Sequence, residues 1–335
     1  MSYNPYINEI QIKKVLEDGG KVEILPSEAT KRWLELEFGM FIHFGINTFY
    51  DVEWSDGTLD IKGFNPKNID TDQWCEAAKS AGMKYILFVT KHHDGFCNWH
   101  TKYTDYSIKN TSYGEDLLKK LSESCKKAGL KLGLYYSLWD RHEPSYNHDH
   151  GYAIYMKNQL SELLINYGEI IEIWFDGGWQ KGGSHCHDSY RWYWREIYEH
   201  IKSIQPDCMV ADNGTYDRPG EIVMWPCDLR IGEKQFPKED DKKIWYCGGI
   251  GDYLPYEMCH TLSTGGTKQG LFSDGKWFWH PDDITVQSPD WIVKTLNQCI
   301  EKGANFVINA APDTNGNLRS VDVECLKQVG ELKKS

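Results

Sequence analysis

"KYILFVTKHHDGF", residues 84–96, changes character at its midpoint. The first half is an apolar run that suits a strand buried on both faces, and the second sets two imidazoles and a carboxylate side by side where that strand ends. The same design recurs in "GMFIHFG" (39–45), "KLGLYYS" (131–137), "EIIEIWFDG" (169–177), "CMVADNG" (208–214) and "NFVINAAP" (305–312). Between these runs, "TDQWCEAAKSAG", "GEDLLKKLSESCKKAG", "GYAIYMKNQLSELLINYG" and "YRWYWREIYEHIKSI" carry the 3.6-residue period of surface helices, several closing on a glycine. Strand then helix, repeated, predicts a parallel sheet with covered faces. Two features select a (β/α)₈ barrel over an open doubly wound sheet. No glycine-rich phosphate loop follows any strand. Nearly every strand also ends in polar or aromatic groups (His43; His92, His93 and Asp94; Tyr135, Tyr136 and Ser137; Asp176; Asp212 and Asn213; Asn309), which a barrel gathers at one mouth. Residues 214–288 read as long loops capping that mouth with two short strands of uncertain position. One barrel domain is expected over residues 1–335, with its core over about 30–333.

Composition narrows the function. A net charge of −12 argues against nucleic acid or an anionic membrane surface as partner, since both reward clustered Lys and Arg. The start, "MSYNPYINEIQIKK", lacks the basic and apolar segments of a leader, and no run reaches spanning length, so a cytoplasmic protein is expected. Ten scattered cysteines without a Cys-x-x-Cys pair read as free thiols. Aromatic residues make up 14% of the chain, including 14 Trp and 20 Tyr. Such rings can lie against the C–H face of a sugar while polar groups take its hydroxyls.

A mouth lined with carboxylates, imidazoles and aromatics suits hydrolysis of a glycosidic bond, which needs two carboxyl groups. Asp176 is the first candidate: it ends the buried strand "IIEIWF", and Gly177 and Gly178 leave room for a ligand. An Asp-Gly-Gly also commonly begins a turn, but the flanking Trp174 and Trp179 favour a site. A metal centre is the first rival, resting on His92, His93, Asp94 and on "SHCHD" (184–188). Neither stretch has the one-faced spacing of His-Glu-x-x-His, so neither metal nor cofactor is expected.

Taken in order, "GMFIHFG", "VEWSDG", "TKHHDGFCNW" followed by "YTDYSIKNTS", "LGLYYSLWD", "IWFDGGW", "GKWFWH" and "GANFVINAAPDTNGNL" resemble the α-L-fucosidases of glycoside hydrolase family 29, from about residue 30 to the C-terminus. The resemblance implies a retaining exo-glycosidase that removes terminal α-L-fucose from oligosaccharides without a metal, on a (β/α)₈-like barrel. The β-sandwich that members commonly carry after the barrel is expected to be missing. Position by position, the match makes Asp176 the nucleophile. His43, Glu53, Trp54, His92, His93 and Tyr135 match residues that hold the fucose, and Trp277 the aromatic near its methyl group. Fucose presents three ring hydroxyls and one methyl, so fixed polar groups and an apolar wall fit it. Because adjacent strand residues face opposite ways, either one of His92 and His93 acts from behind or the strand bends there.

For the acid/base, "CDLRIGEKQFP" (227–237) resembles one branch's Gly-Asp-Tyr-x-Thr-Pro-Glu-Gln and selects Glu233, with Glu221 and Glu257 as alternatives. The other branch's Gly-Asn-Glu is matched only by "ADNG" (211–214), which has no Glu. Two further readings are a fucose-binding protein that has lost catalysis, and a glycosidase for a related sugar such as a galactoside. Self-association is compatible with a lone barrel.

Overall fold

The computed structural model describes residues 12–15, 22–181, 190–213, 220–222, 224–247, 250–265 and 276–334. Eight strands form one parallel sheet: β1 (Phe38–Ile42), β2 (Tyr85–Lys91), β3 (Lys131–Ser137), β4 (Ile170–Asp176), β5 (Met209–Asn213), β6 (Arg230–Glu233), β7 (Tyr256–Thr261) and β8 (Ala304–Asn309). Their order is β5-β4-β3-β2-β1-β8-β7-β6, every neighbouring pair parallel. The sheet curls into a nearly closed barrel. At the β5–β6 seam Asp228, just ahead of β6, stands in for a ladder: its N–H donates to Val210 O and its Oδ2 accepts from Val210 N, both at 2.8 Å. Lys202 and the Tyr198 hydroxyl hold that carboxylate in turn.

Side chains alternate across each strand, and the alternation separates two cores. Phe41, Leu87, Tyr135, Trp174, Ile231, Cys259 and Val307 pack together inside the barrel. Met40, Ile86, Leu134, Ile173, Val210, Met258 and Phe306 face outward into the helical layer. That layer comprises Thr71–Ser80, Leu117–Ala128, Asp149–Asn166, Trp194–Ile204, Pro289–Glu301 and Ser320–Leu332. Asp70, Asp116 and Ser288 cap three of these helices, each accepting from the third backbone N–H beyond. The two strands left unplaced within 214–288 are β6 and β7, both full members of the sheet. Among the described residues no helix follows β5 or β6, and an antiparallel hairpin, Ile244–Cys247 with Ile250–Tyr253, stands between β6 and β7. Among them, too, no helix is long and apolar enough to cross a membrane.

The floor of the barrel, at the strands' N-terminal ends, is polar and buried. A short helix, Glu28–Leu34, brings Trp33 there, where its indole N–H donates to Glu172 and its carbonyl accepts from Asn305. The Tyr85 hydroxyl donates to Glu257 Oε1 at 2.6 Å, and Tyr85, Glu172 and Glu257 are all fully buried. Burial raises both carboxyls, Glu172 to about 7 and Glu257 well above its usual range, where the nearby Glu172 adds to the effect.

Carboxyls that gain proton affinity on folding favour the native state most at low pH, and that contribution drains away as pH rises from 4.5 through about 7. Thermal unfolding between about pH 5 and pH 8 is expected to show this decline, at about 2–4 °C per kcal/mol lost. Glu172→Gln is expected to flatten it.

Candidate active site

At the opposite end, the parity that buries Glu172 and Trp174 in β4 brings Asp176, the strand's last residue, inward at the mouth. Its Oδ2 accepts from the Tyr135 hydroxyl at 2.8 Å and its Oδ1 from Gly177 N at 2.8 Å. Gly177 has φ +81, and a Cβ there would meet Trp139, so the turn beside Asp176 requires glycine. Asn213 and Glu233 end β5 and β6 facing the same way. One nitrogen, Asn213 Nδ2, donates to Glu233 Oε2 at 3.0 Å and lies 3.4 Å from Asp176 Oδ1, so the two carboxylates share an amide.

His92 and His93 follow the end of β2, where the strand bends. The register with β3 is irregular between Val89 and Lys91, and Lys91 turns outward to a buried pair with Asp140 at 2.8 Å. A tight turn follows: Gly95, at φ +86, donates its N–H to His92 O at 3.0 Å. The bend lets consecutive imidazoles share one side, their ring centres 4.3 Å apart. His93 Nε2 lies 3.6 Å from Asp176 Oδ2, and its Nδ1 is 2.6 Å from Ser137 Oγ. His43, just past β1, holds Asn309 Oδ1 through Nδ1 at 2.7 Å, and its ring centre is 5.9 Å from that of His92.

Aromatic rings wall the pocket. Trp277 lies 5.0 Å from His43, Trp54 5.3 Å from His93, and Trp139 and Trp179 5.3 and 5.8 Å from His93, ring centre to ring centre. Glu53 already has protein partners on both oxygens. Oε2 accepts from the N–H of Trp277 and Oε1 meets His280 Nε2 at 2.6 Å, while Asn309 Nδ2 donates to Trp277 O at 2.8 Å. Glu53 and Asn309 therefore anchor the segment that carries Trp277. Burial opposes a charge on His280, yet its bonds to Glu53 and Asp51 raise it above the ordinary histidine range.

The nine residues expected at the site, His43, Glu53, Trp54, His92, His93, Tyr135, Asp176, Glu233 and Trp277, thus meet around one mouth. Glu257 does not: it belongs to the floor, where an inward position near the start of β7 buries it against Tyr85. Glu221 lies half-buried in the β5–β6 connection. "SHCHD" (184–188) falls outside the described residues, and among those described no group of His, Cys, Asp or Glu could hold a metal ion. The amide bridge of Asn213, the Trp139 ring and the anchoring pair of His280 and Glu53 went unforeseen. Trp139 and His280 both stand inside motifs quoted above.

Burial keeps the imidazoles neutral: it brings His43 and His93 down to about 3, and carries His92 well below its usual range with help from the other two rings. Asp176 moves the other way, raised by burial and then by the Glu233 charge, against the Tyr135 hydrogen bond.

A family model described as alpha-L-fucosidase matches residues 50–334. The chain belongs to the α-L-fucosidase family. It is 31% identical to Alpha-L-fucosidase 1 of Arabidopsis thaliana, over 93% of this chain and 60% of that protein. Among solved structures, a glycoside hydrolase 29 family member from an unknown rumen bacterium is 30% identical with a TM-score of 0.79, over 92% of this chain and 57% of that one. The α-L-fucosidase isoenzyme 1 of Paenibacillus thiaminolyticus is 29% identical with a TM-score of 0.76, over 92% and 75%. The chain therefore spans little more than half of the first two relatives' length.

For this α-L-fucosidase family chain the carboxylate pair makes a direct test. Removing the Glu233 charge eases ionisation of its neighbour, so Glu233→Gln is expected to move the Asp176 carboxyl titration, followed by ¹³C NMR, to lower pH.

Proposed function

We propose that the chain is a retaining exo-α-L-fucosidase that releases terminal α-L-fucose from fucosylated oligosaccharides. The carrying observation is the pair of carboxylates, Asp176 and Glu233, joined through Asn213 at the base of a pocket of neutral imidazoles and tryptophans. One amide spanning both suits the roughly 5–5.5 Å separation of a retaining pair better than the wider gap that admits an attacking water. Family membership supports the sugar.

In this reading the ionised Asp176 attacks the anomeric carbon while Glu233 protonates the departing oxygen. Glu233, now a base, then takes a proton from water as it displaces the enzyme ester and frees fucose. The Tyr135 hydroxyl and Gly177 N–H, bonded to Asp176, steady the carboxylate before attack and ease its departure afterwards. Burial disfavours the Asp176 anion, so attack is expected to switch on as pH rises through its titration, in the state where Glu233 holds the proton and adds no opposing charge. His43, His92 and His93 meet the ring hydroxyls, Trp277 flanks the methyl group, and the wall of Trp54, Trp139 and Trp179 excludes water.

Release of 4-nitrophenol from its α-L-fucoside is expected, and Asp176→Ala should abolish it by at least about 10³-fold. Glu233→Ala should slow it and recover with azide, giving the α-fucosyl azide. The first sugar released should be the α anomer by NMR. A β product would overturn the retaining mechanism. Fucose binding without turnover of aryl or natural fucosides would favour a binding protein, and galactoside turnover a different sugar.

A further inference from the structure

The aspartate of "HHDGF" has no part in the chemistry above, yet it is 2% exposed and sits behind the pocket. Its Oδ1 accepts from Phe96 N at 2.7 Å and its Oδ2 from Asn47 Nδ2 at 2.9 Å. What it does follows from proton bookkeeping on the three imidazoles. Each is neutral, so each has one N–H and one lone pair.

For two rings the partners decide which nitrogen holds the proton. Asn309 donates its amide to Trp277 O, which leaves its Oδ1 facing His43; an amide oxygen only accepts, so His43 carries its proton on Nδ1. Ser137 has a single hydroxyl proton and gives it to Trp139 O at 2.7 Å, so its oxygen receives from His93, whose proton is also on Nδ1. His92 has no such bond: its Nδ1 is buried and unpartnered among the described residues, with Asp94 Oδ2 at 4.0 Å. That carboxylate oxygen already has the Asn47 amide, whose orientation is set by a second donation to Glu53 O at 3.3 Å. A buried carboxylate beside Nδ1 attracts an N–H there and repels a lone pair.

We propose that Asp94 is a positioning residue that holds His92 as the Nδ1–H tautomer, so that Asp94, Ser137 and Asn309 together present all three pocket imidazoles to the ligand as acceptors at Nε2. In water the opposite tautomer of histidine is the commoner, so three Nδ1–H rings are a property imposed by the fold. Such a pocket demands hydroxyls that donate. At His93 the Asp176 carboxylate, 3.6 Å from Nε2, pulls toward the other tautomer, but the 2.6 Å bond to Ser137 Oγ, whose only proton goes to Trp139 O, outweighs it. Nε2 and Oδ2 then both accept, and a donor is required there too. The identity of the ligand as fucose rests on the proposed function; the tautomers do not.

The two are tested separately. In ¹⁵N-histidine protein, long-range proton–nitrogen correlation, with rings assigned by His→Gln variants, reads each tautomer directly. At neutral pH, His43, His92 and His93 are expected to show Nδ1–H; an Nε2–H signal from His92 in the unaltered protein overturns the proposal without any variant having to fold. Asp94→Asn places an amide where the carboxylate stood and is expected to switch His92 alone to Nε2–H, with kcat/KM for the aryl fucoside falling about 10–100-fold. That fall should shrink for whichever monodeoxy fucoside lacks the hydroxyl that His92 accepts. A folded Asp94→Asn protein whose His92 keeps Nδ1–H, or a fall equal across all the deoxy sugars, assigns Asp94 a structural role only and overturns the proposal. Failure of the unaltered protein to turn over any fucoside would refute the proposed function and leave the tautomer result standing.

Discussion

Inward side chains recur at every second residue of a strand, and in a nearly closed parallel barrel that period ties the floor to the mouth. In β4 it runs Glu172, Trp174, Asp176: a buried carboxyl bonded to Trp33, a ring in the interior core, and the candidate nucleophile. β3 sends Tyr135 in beneath Asp176 by the same rule, and β5, β6 and β8 end on Asn213, Glu233 and Asn309. Slipping any strand by one residue would exchange core for helix-facing surface and empty the mouth of its polar groups.

Burial is the second organising influence, and it acts on unlike groups in opposite senses. It strips charge from the imidazoles and makes ionisation of Asp176 harder, so the pocket can be dense in titratable groups without being densely charged. A neutral, hydroxyl-rich ligand is compatible with such a place. The buried carboxyls of the floor follow the same rule at the end of the barrel opposite the candidate site, which shows that a raised acid is not by itself a sign of catalysis.

The long apolar strands were legible because a parallel strand covered on both faces has little choice of residue. β6 and β7 were not, since neither "RIGE" nor "YEMCHT" is a long apolar run and, among the described residues, no helix separates them. That ambiguity also made Glu257 look like a loop carboxylate; its inward position inside β7 is visible only once the register with β8 is known. The neighbouring histidines posed a parity problem that a bulge resolves, and nothing in "TKHHDGF" except Gly95 signals it. Asn213 was visible as a strand end, but its bridging role depends on two strands meeting that lie seventeen residues apart with no ladder between them.

That meeting has a mechanical side. Seven of the barrel's joints are backbone ladders, whereas the eighth is made by the carboxylate and N–H of Asp228 and, above it, by the amide of Asn213. The barrel is a split ring; of the two proposed catalytic carboxyls, Glu233 stands on a strand at the gap and Asp176 one strand in from it. A ladder fixes spacing through stiff peptide planes, while a side-chain clasp can lengthen by turning about single bonds. Strain from a ligand wedged into the mouth would concentrate at this joint, where a small opening changes the separation of the carboxylates and is passed through Asp228 to Tyr198 and Lys202 of the helix Trp194–Ile204.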